Sequence, residues 1–446
     1  MTRSEKLGQL PINKLLLEQA VPASIGIMVM SIYMIVDTIF VGRFVGAVAI
    51  GAITVVLPIS FLISSTGMAI GIGGGSIISR ALGDEDTAKA KKVFGNQITL
   101  TAILAFSFFA LGCSFQEEVL MLFGGKGEIL PYAKTYFQII LIGVPFLAWA
   151  MMTNNVIRAE GAPKIAMYTM LIPAVFNLIL DPIFIIYLDL GIAGAAWATT
   201  LSYMASASFT CWFFLSGKSE LTPKWEDLGL NWPIVSEIFS LGGVTLARQG
   251  VISILAIVLN NTLFSFGGAL AVSVYGIIQR IMMFANFPVS GITQGFLPIA
   301  GFNYGAEKWD RVRSVAKTAI KVGTFIAMII FVLVQCFAEH IASLFTTDPE
   351  LIALTAPAIR ISFLATPLLL IQLVGSAYFQ AIGKAIPALF LTLTKQGFCL
   401  IPLILILPSF FGLNGVWMAF PIADVLSAGI CFYFLRKALR ALPVSA

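Results

Sequence analysis

The 446-residue chain is predicted to fold as an all-α, polytopic membrane protein, with twelve transmembrane helices in two six-helix lobes related by a pseudo-twofold axis along the membrane normal. Three observations predict it. The chain is 59% hydrophobic and only 11% charged, with a mean hydropathy of +0.95, whereas about a quarter of the residues of a soluble domain carry charge. Apolar windows of about 20 residues, enough for a helix to cross about 30 Å of hydrocarbon, recur twelve times. The second half of the chain also repeats the first.

The windows fall at about 16–41, 52–79, 93–115, 130–157, 163–188 and 191–215, then at about 236–265, 270–300, 316–338, 351–379, 385–410 and 413–435. This divides the chain into a first lobe over 1–216, a polar, proline-bearing linker over 217–233 and a second lobe over 234–446. An even number of spans puts both termini on one side. The basic residues test that arrangement, because cytoplasmic loops collect Lys and Arg. Of the 27 Lys and Arg, 20 lie on the face that carries the termini, among them Arg80, Lys89, Arg158, Lys218, Arg311 and Arg436. Arg43, Lys126 and Lys134 lie on the other, so both ends are expected in the cytoplasm of a cell whose inner membrane the chain spans.

The net charge of +5 therefore reports topology, and no nucleic-acid partner is implied, since the basic residues are spread over loops rather than gathered in a stripe. The N-terminus does not read as a cleaved signal, because Lys14 and Glu18 interrupt its apolar run. Five cysteines are scattered singly with no CxxC pair, and the lone His340 sits beside Glu339, so neither a disulfide framework nor a zinc site is expected. The glycine run Gly71–Gly75 lacks the GK[ST] ending of a phosphate loop and is embedded, which favours close helix packing. No cofactor and no enzymatic activity are expected, and the expected partners of a monomeric protein are the lipid bilayer and a small-molecule substrate.

A shift of 222 residues sets Gly46-Ala47-Val48-Ala49 on Gly268-Ala269-Leu270-Ala271, Gly83 on Gly305, Lys89 and Lys91 on Arg311 and Arg313, and Gly161 on Gly383. At a shift of 221, GIAGAAWA from Gly191 meets GLNGVWMA from Gly412. Six spans return the second copy to the side where the first began, which makes the repeats parallel. Two lobes around a central cleft, alternating in access, follow as an expectation.

Asp37 and Asp181 each stand inside a long apolar stretch of the first lobe, where a charge costs about 2.5–3.5 kcal/mol. Their repeat partners are Asn261 and Ile401, so the fold does not demand the acids and a functional role is indicated. Asn177 lies one turn before Asp181 on the same helical face, and Pro182 leaves the Leu178 carbonyl without its helical donor. Thr199 and the Ala195 carbonyl, also one turn apart, come from the next span. Carboxylate, amide, hydroxyl and carbonyl oxygens are the ligands of a hard cation such as Na⁺. Asp37 either completes that set or carries a proton, since protonation and Na⁺ binding are competing ways to neutralise the same pair.

The second lobe has the opposite sign. Arg248, Arg280, Arg360 and Lys395 fall inside its spans with Asp424 as the embedded acid. Lys395 pairing with Asp424 and arginines reaching to the interface form one reading. Contact of Arg248, Gln249, Arg280 or Lys395 with an anionic substrate group is the other. Phe61, Met282, Met283, Phe284 and Phe287 either line a permissive apolar pocket or face lipid.

VDTIFVGR from Val36, NLILDP from Asn177, GIAGAAWAT from Gly191 and GFNYGAEKWDRV from Gly301, in that order along essentially the whole chain, resemble the multidrug and toxic compound extrusion (MATE) family. QRIMMF from Gln279 together with GFNYGA is similar to its MepA-like subgroup. The resemblance implies export of bulky, often cationic and amphipathic compounds in exchange for Na⁺ or H⁺. It carries ion-binding roles onto Asp37, Asn177, Asp181, Thr199 and the Ala195 carbonyl. Acids that another branch of the family uses in the second lobe are missing, as GGVTLARQGVISI shows with Gln249 and no Glu. The arginine-bearing second lobe keeps an alternative open, a flippase or exporter of an anionic or lipid-linked metabolite.

Overall fold

A computed structural model describes residues 2–443, which are almost entirely helical. Ten helices among them are long and apolar enough to cross a membrane. One of the ten, α9 (Trp232–Gly305, 74 residues), contains two passes, because the chain turns at Gly268 (φ 62°, ψ −160°) without a loop. A further helix, α8 (Gly191–Leu215), is rich in Gly, Ala, Ser and Thr and is not among the ten although 25 residues long. The twelve predicted spans are thereby accounted for in an all-α fold.

The chain clusters into two compact units, Ile25–Gly242 with the first residues up to Glu5, and Lys6–Ser24 with the chain from Gly243 onward. Unit 1 holds most of α2 (Ile12–Phe44), then α3 (Ala47–Gly83), α4 (Thr87–Ser114), α5 (Gln116–Leu122), α6 (Ile129–Ala159), α7 (Pro163–Asp181) and α8. Its apolar core gathers Val56, Phe137, Val144, Ile185 and Ala196. Unit 2 holds most of α9, then α10 (Trp309–Ser343), α11 (Pro349–Ser362), α12 (Leu369–Ala381), α13 (Ala385–Leu393), α14 (Ile401–Ile406), α15 (Pro408–Phe411) and α16 (Leu413–Arg440). Leu259, Ile278, Ile359, Ile404 and Trp417 form its core.

The duplication is written into the backbone. Left-handed φ values recur at repeat-related positions: Gly46 and Gly268, Glu85 and Glu307, Gly161 and Gly383, Gly191 and Gly412. These are turns between spans; six of the eight residues are glycines, which take a positive φ without a Cβ clash, while Glu85 and Glu307 carry it at matching positions in the two copies. Local chemistry fixes the helix starts. The Asp86 side chain accepts from Lys89 N at 2.9 Å to begin α4, Asp348 accepts from Glu350 N at 3.0 Å to begin α11, and Pro163 opens α7.

The polar segment read as a linker is held to α4. Asn96 Nδ2 donates to the Gly229 carbonyl at 3.2 Å, its Oδ1 accepts from Asn231 N at 2.7 Å, and Thr99 Oγ1 donates to the Leu228 carbonyl at 2.7 Å. The glycine run of α3 packs closely, as its composition suggests. A Cβ on Gly73 would lie 2.2 Å from the Ile238 carbonyl oxygen.

Candidate functional site

Asp37 on α2 borders a cavity of about 150 Å³ lying wholly within unit 1. Tyr33, Met34 and Thr38 share its wall from α2, Ser60, Phe61 and Ser64 from α3, Tyr136 and Met151 from α6, and Thr199 and Tyr203 from α8. The lining contains no Lys or Arg. Phe61, left between pocket and lipid by sequence, lines this cavity.

Beside it, α7 brings Asn177 and Asp181 to one face, both 1% exposed. At Pro182 the α-helical hydrogen bonding stops and Pro182–Tyr187 continues as a π-helix, a form that occurs mostly as single turns and often at functional sites. Gly194 lets α8 close on that segment, since a Cβ there would lie 2.9 Å from the Phe184 backbone. The approach brings Thr199 to Asn177, whose Nδ2 donates to Thr199 Oγ1 at 3.3 Å. Ala195, fully buried, stands one turn before Thr199. Asp37 shares the cavity wall with Thr199, the hydroxyl that Asn177 reaches from α7.

Three side-chain oxygens here are buried with no hydrogen-bond partner: Asp37 Oδ1, Asn177 Oδ1 and Asp181 Oδ1. Leaving such atoms unsatisfied costs about 1–3 kcal/mol each, more when charged. Two acids, an amide oxygen and a hydroxyl converge without a basic side chain among the cavity residues, a donor set that suits a hard cation.

Sequence reasoning missed the tyrosines. Tyr33, Tyr136 and Tyr203 line the cavity together with Asp37 and Thr199. Aromatic residues in apolar spans ordinarily signal packing, and only the register of Tyr33 one turn before Asp37, and of Tyr203 one turn after Thr199, could have singled them out.

The remaining candidates all lie in unit 2. Gln249, Arg280 and Met283 are exposed, and Arg248 is half-buried. Lys395 Nζ pairs with Asp424 Oδ1 at 2.6 Å, and Arg360 Nε donates to the Gln335 carbonyl at 3.3 Å. Met282 packs against the unit 2 core and Phe287 is buried, whereas Phe284 is exposed.

The chain is 29% identical over 432 residues to the multidrug export protein MepA of Staphylococcus aureus (strain MSSA476), covering 96% of this chain and 95% of that one. A crystal structure of MATE in complex with MaL6 superposes with a TM-score of 0.93 at 25% identity over 99% of both chains. A MOP superfamily transporter from Pyrococcus furiosus, described as having a binding pocket of reverse polarity, superposes with a TM-score of 0.92 at 26% identity over the full length of both. The MatE family model matches twice, over residues 22–183 and 246–406, once in each copy of the repeat. With a duplicated twelve-span fold, relatives that export drugs and a family model covering most of its length, this multi-pass membrane protein belongs to the MatE family of transporters.

Proposed function

We propose that the protein is a secondary active antiporter that exports bulky, amphipathic and often cationic organic compounds in exchange for Na⁺ or H⁺. The observation that carries this reading is the convergence of three unpartnered buried oxygens, on Asp37, Asn177 and Asp181, beside the Thr199 hydroxyl. An entering Na⁺ takes those oxygens as ligands, with the Ala195 carbonyl as a further donor. A proton instead neutralises one carboxyl of the Asp37–Asp181 pair. Either ion removes charge from the apolar span, so occupancy of the site biases the conformation of the helices that carry it. The duplicated architecture supports alternating access of the two halves as the transport cycle, with both termini in the cytoplasm, the monomer as the working unit and no cofactor.

Efflux of a fluorescent organic cation from proteoliposomes, under separately imposed Na⁺ and pH gradients, tests the coupling. Gradient-driven efflux is expected to disappear in Asp37→Asn and Asp181→Asn. Full transport in both variants would overturn the assignment.

A further inference from the structure

Midway along two spans of unit 2 stands an ion pair that the unit 1 site does not use. Lys395 Nζ lies 2.6 Å from Asp424 Oδ1, with 21% and 10% of the two side chains accessible. Counted from Ala385 and Leu413, both residues are about 15 Å into their spans at about 1.5 Å per residue. Charges at that depth are costly to desolvate and persist when paired and hydrogen-bonded. An ammonium has three donors, yet among the described residues Asp424 is the only partner of Lys395.

The surroundings point to a ligand. Lys395 sits in a second π-helical segment, Thr394–Leu400, immediately before Ile401-Pro402. Gly397 in that segment meets α9, where a Cβ would lie 3.6 Å from Val251 Cγ1. Arg248 is one turn before Val251 on α9, half-buried, with no acid paired to it among the described residues. Two cations against one carboxylate leave a positive charge uncompensated within apolar spans. The repeat adds an independent argument. At a shift of 221, Asp424 falls on Tyr203, a wall of the unit 1 cavity. Asp424 thus occupies, in unit 2, the register that a wall residue of the cavity occupies in unit 1.

We propose that Lys395, with Arg248 on the neighbouring helix, forms a binding site for an anionic oxygen group, a carboxylate, sulfonate or phosphate borne by a solute, and that the Asp424 carboxylate holds this place in the empty protein. The inference rests on the exporter reading and adds a second ligand class to it. An incoming anion competes with Asp424 for the ammonium, which separates this site from a purely structural salt bridge.

The competition makes the two partners act with opposite sign. Binding of carboxyfluorescein to the purified protein, in micelles of a neutral detergent, is followed by fluorescence polarisation, with competition by unlabelled benzoate and by neutral benzamide as controls. Asp424→Asn removes the internal competitor and is expected to tighten binding about tenfold, while Lys395→Met weakens it about tenfold, the scale of one charge-assisted contact. Lys395→Arg keeps the charge and retains binding, which guards against loss through misfolding. Equal affinities in all four proteins, or weakening by Asp424→Asn and Lys395→Met alike, would overturn the proposal. The assay imposes no gradient and leaves Asp37 and Asp181 untouched, so failure here leaves the coupling reading standing.

Discussion

Asn177 Nδ2 donates to Thr199 Oγ1 at 3.3 Å, which fixes the amide with its oxygen buried and unpartnered. A side-chain amide has two donors and one acceptor oxygen, so spending a donor on Thr199 orients the acceptor. The hydroxyl acts as a positioning group for the amide as well as a ligand candidate in its own right.

Asn177→Ala removes that oxygen and leaves both carboxyls in place. The Na⁺ concentration giving half-maximal efflux is expected to rise about tenfold, equivalent to ~1.4 kcal/mol for one neutral contact to a cation. A Na⁺ titration of transport in proteoliposomes measures it. An unchanged midpoint would remove Asn177 from the site.

The packing of α3 makes a prediction about stability alone. A Cβ on Gly73 would sit 2.2 Å from the Ile238 carbonyl oxygen, a backbone atom that cannot swing aside. Gly73→Ala is expected to cost ~1–3 kcal/mol through overpacking. Gly243→Ala, where nothing lies within 4 Å, is expected to be neutral or stabilising by up to ~1 kcal/mol. Thermal unfolding of the two variants in detergent gives the comparison.

Glu160, fully buried just past α6, supplies a pH dependence. Burial pushes its carboxyl from 4.5 up to about 8; a hydrogen bond donated by Ser219 at 2.6 Å opposes the rise, the Glu220 carboxylate adds to it and Arg3 at 3.8 Å opposes it. Between those values the folded protein holds a proton that the unfolded chain has lost. The stabilisation is therefore fully present below 4.5 and declines as pH rises towards about 8. Glu160→Gln should flatten that part of the profile of unfolding temperature against pH, and an unaltered slope would show that Glu160 is not its source.

Asp86 caps α4 through Lys89 N at 2.9 Å, at an exposed position where its side chain has no ion-pair partner among the described residues. Asp86→Ala is expected to destabilise by ~1 kcal/mol and Asp86→Ser by less, as for other N-caps. The unfolding midpoint of each variant decides it.

Much of this was legible in the sequence because its signals are periodic or costly. Asn177, Asp181 and Thr199 could be placed from helical spacing, and Asp37 from the expense of an acid in an apolar stretch. The glycine pairs of the repeat announced the turns at Gly46 and Gly268 and at Gly191 and Gly412. Other features depend on which faces meet. Tyr33, Tyr136 and Tyr203 carry no charge to mark them among 36 phenylalanines and ten tyrosines. The polar segment around Asp227 has the composition of a free linker, and only the fold shows it clamped by Asn96 and Thr99. Pro182 predicted a freed carbonyl but not the six-residue π-helix that follows it.

Those π-helical segments have a consequence for how the two halves are built. Each winds more residues into the same rise than an α-helix needs, and each stands at an embedded charged residue, directly after Asp181 in one unit and around Lys395 in the other. The extra length is slack. Taking up or releasing a residue there rotates the polar group against its neighbours while both ends of the span stay at the membrane surface, so a buried charge can be re-aimed without moving the loops.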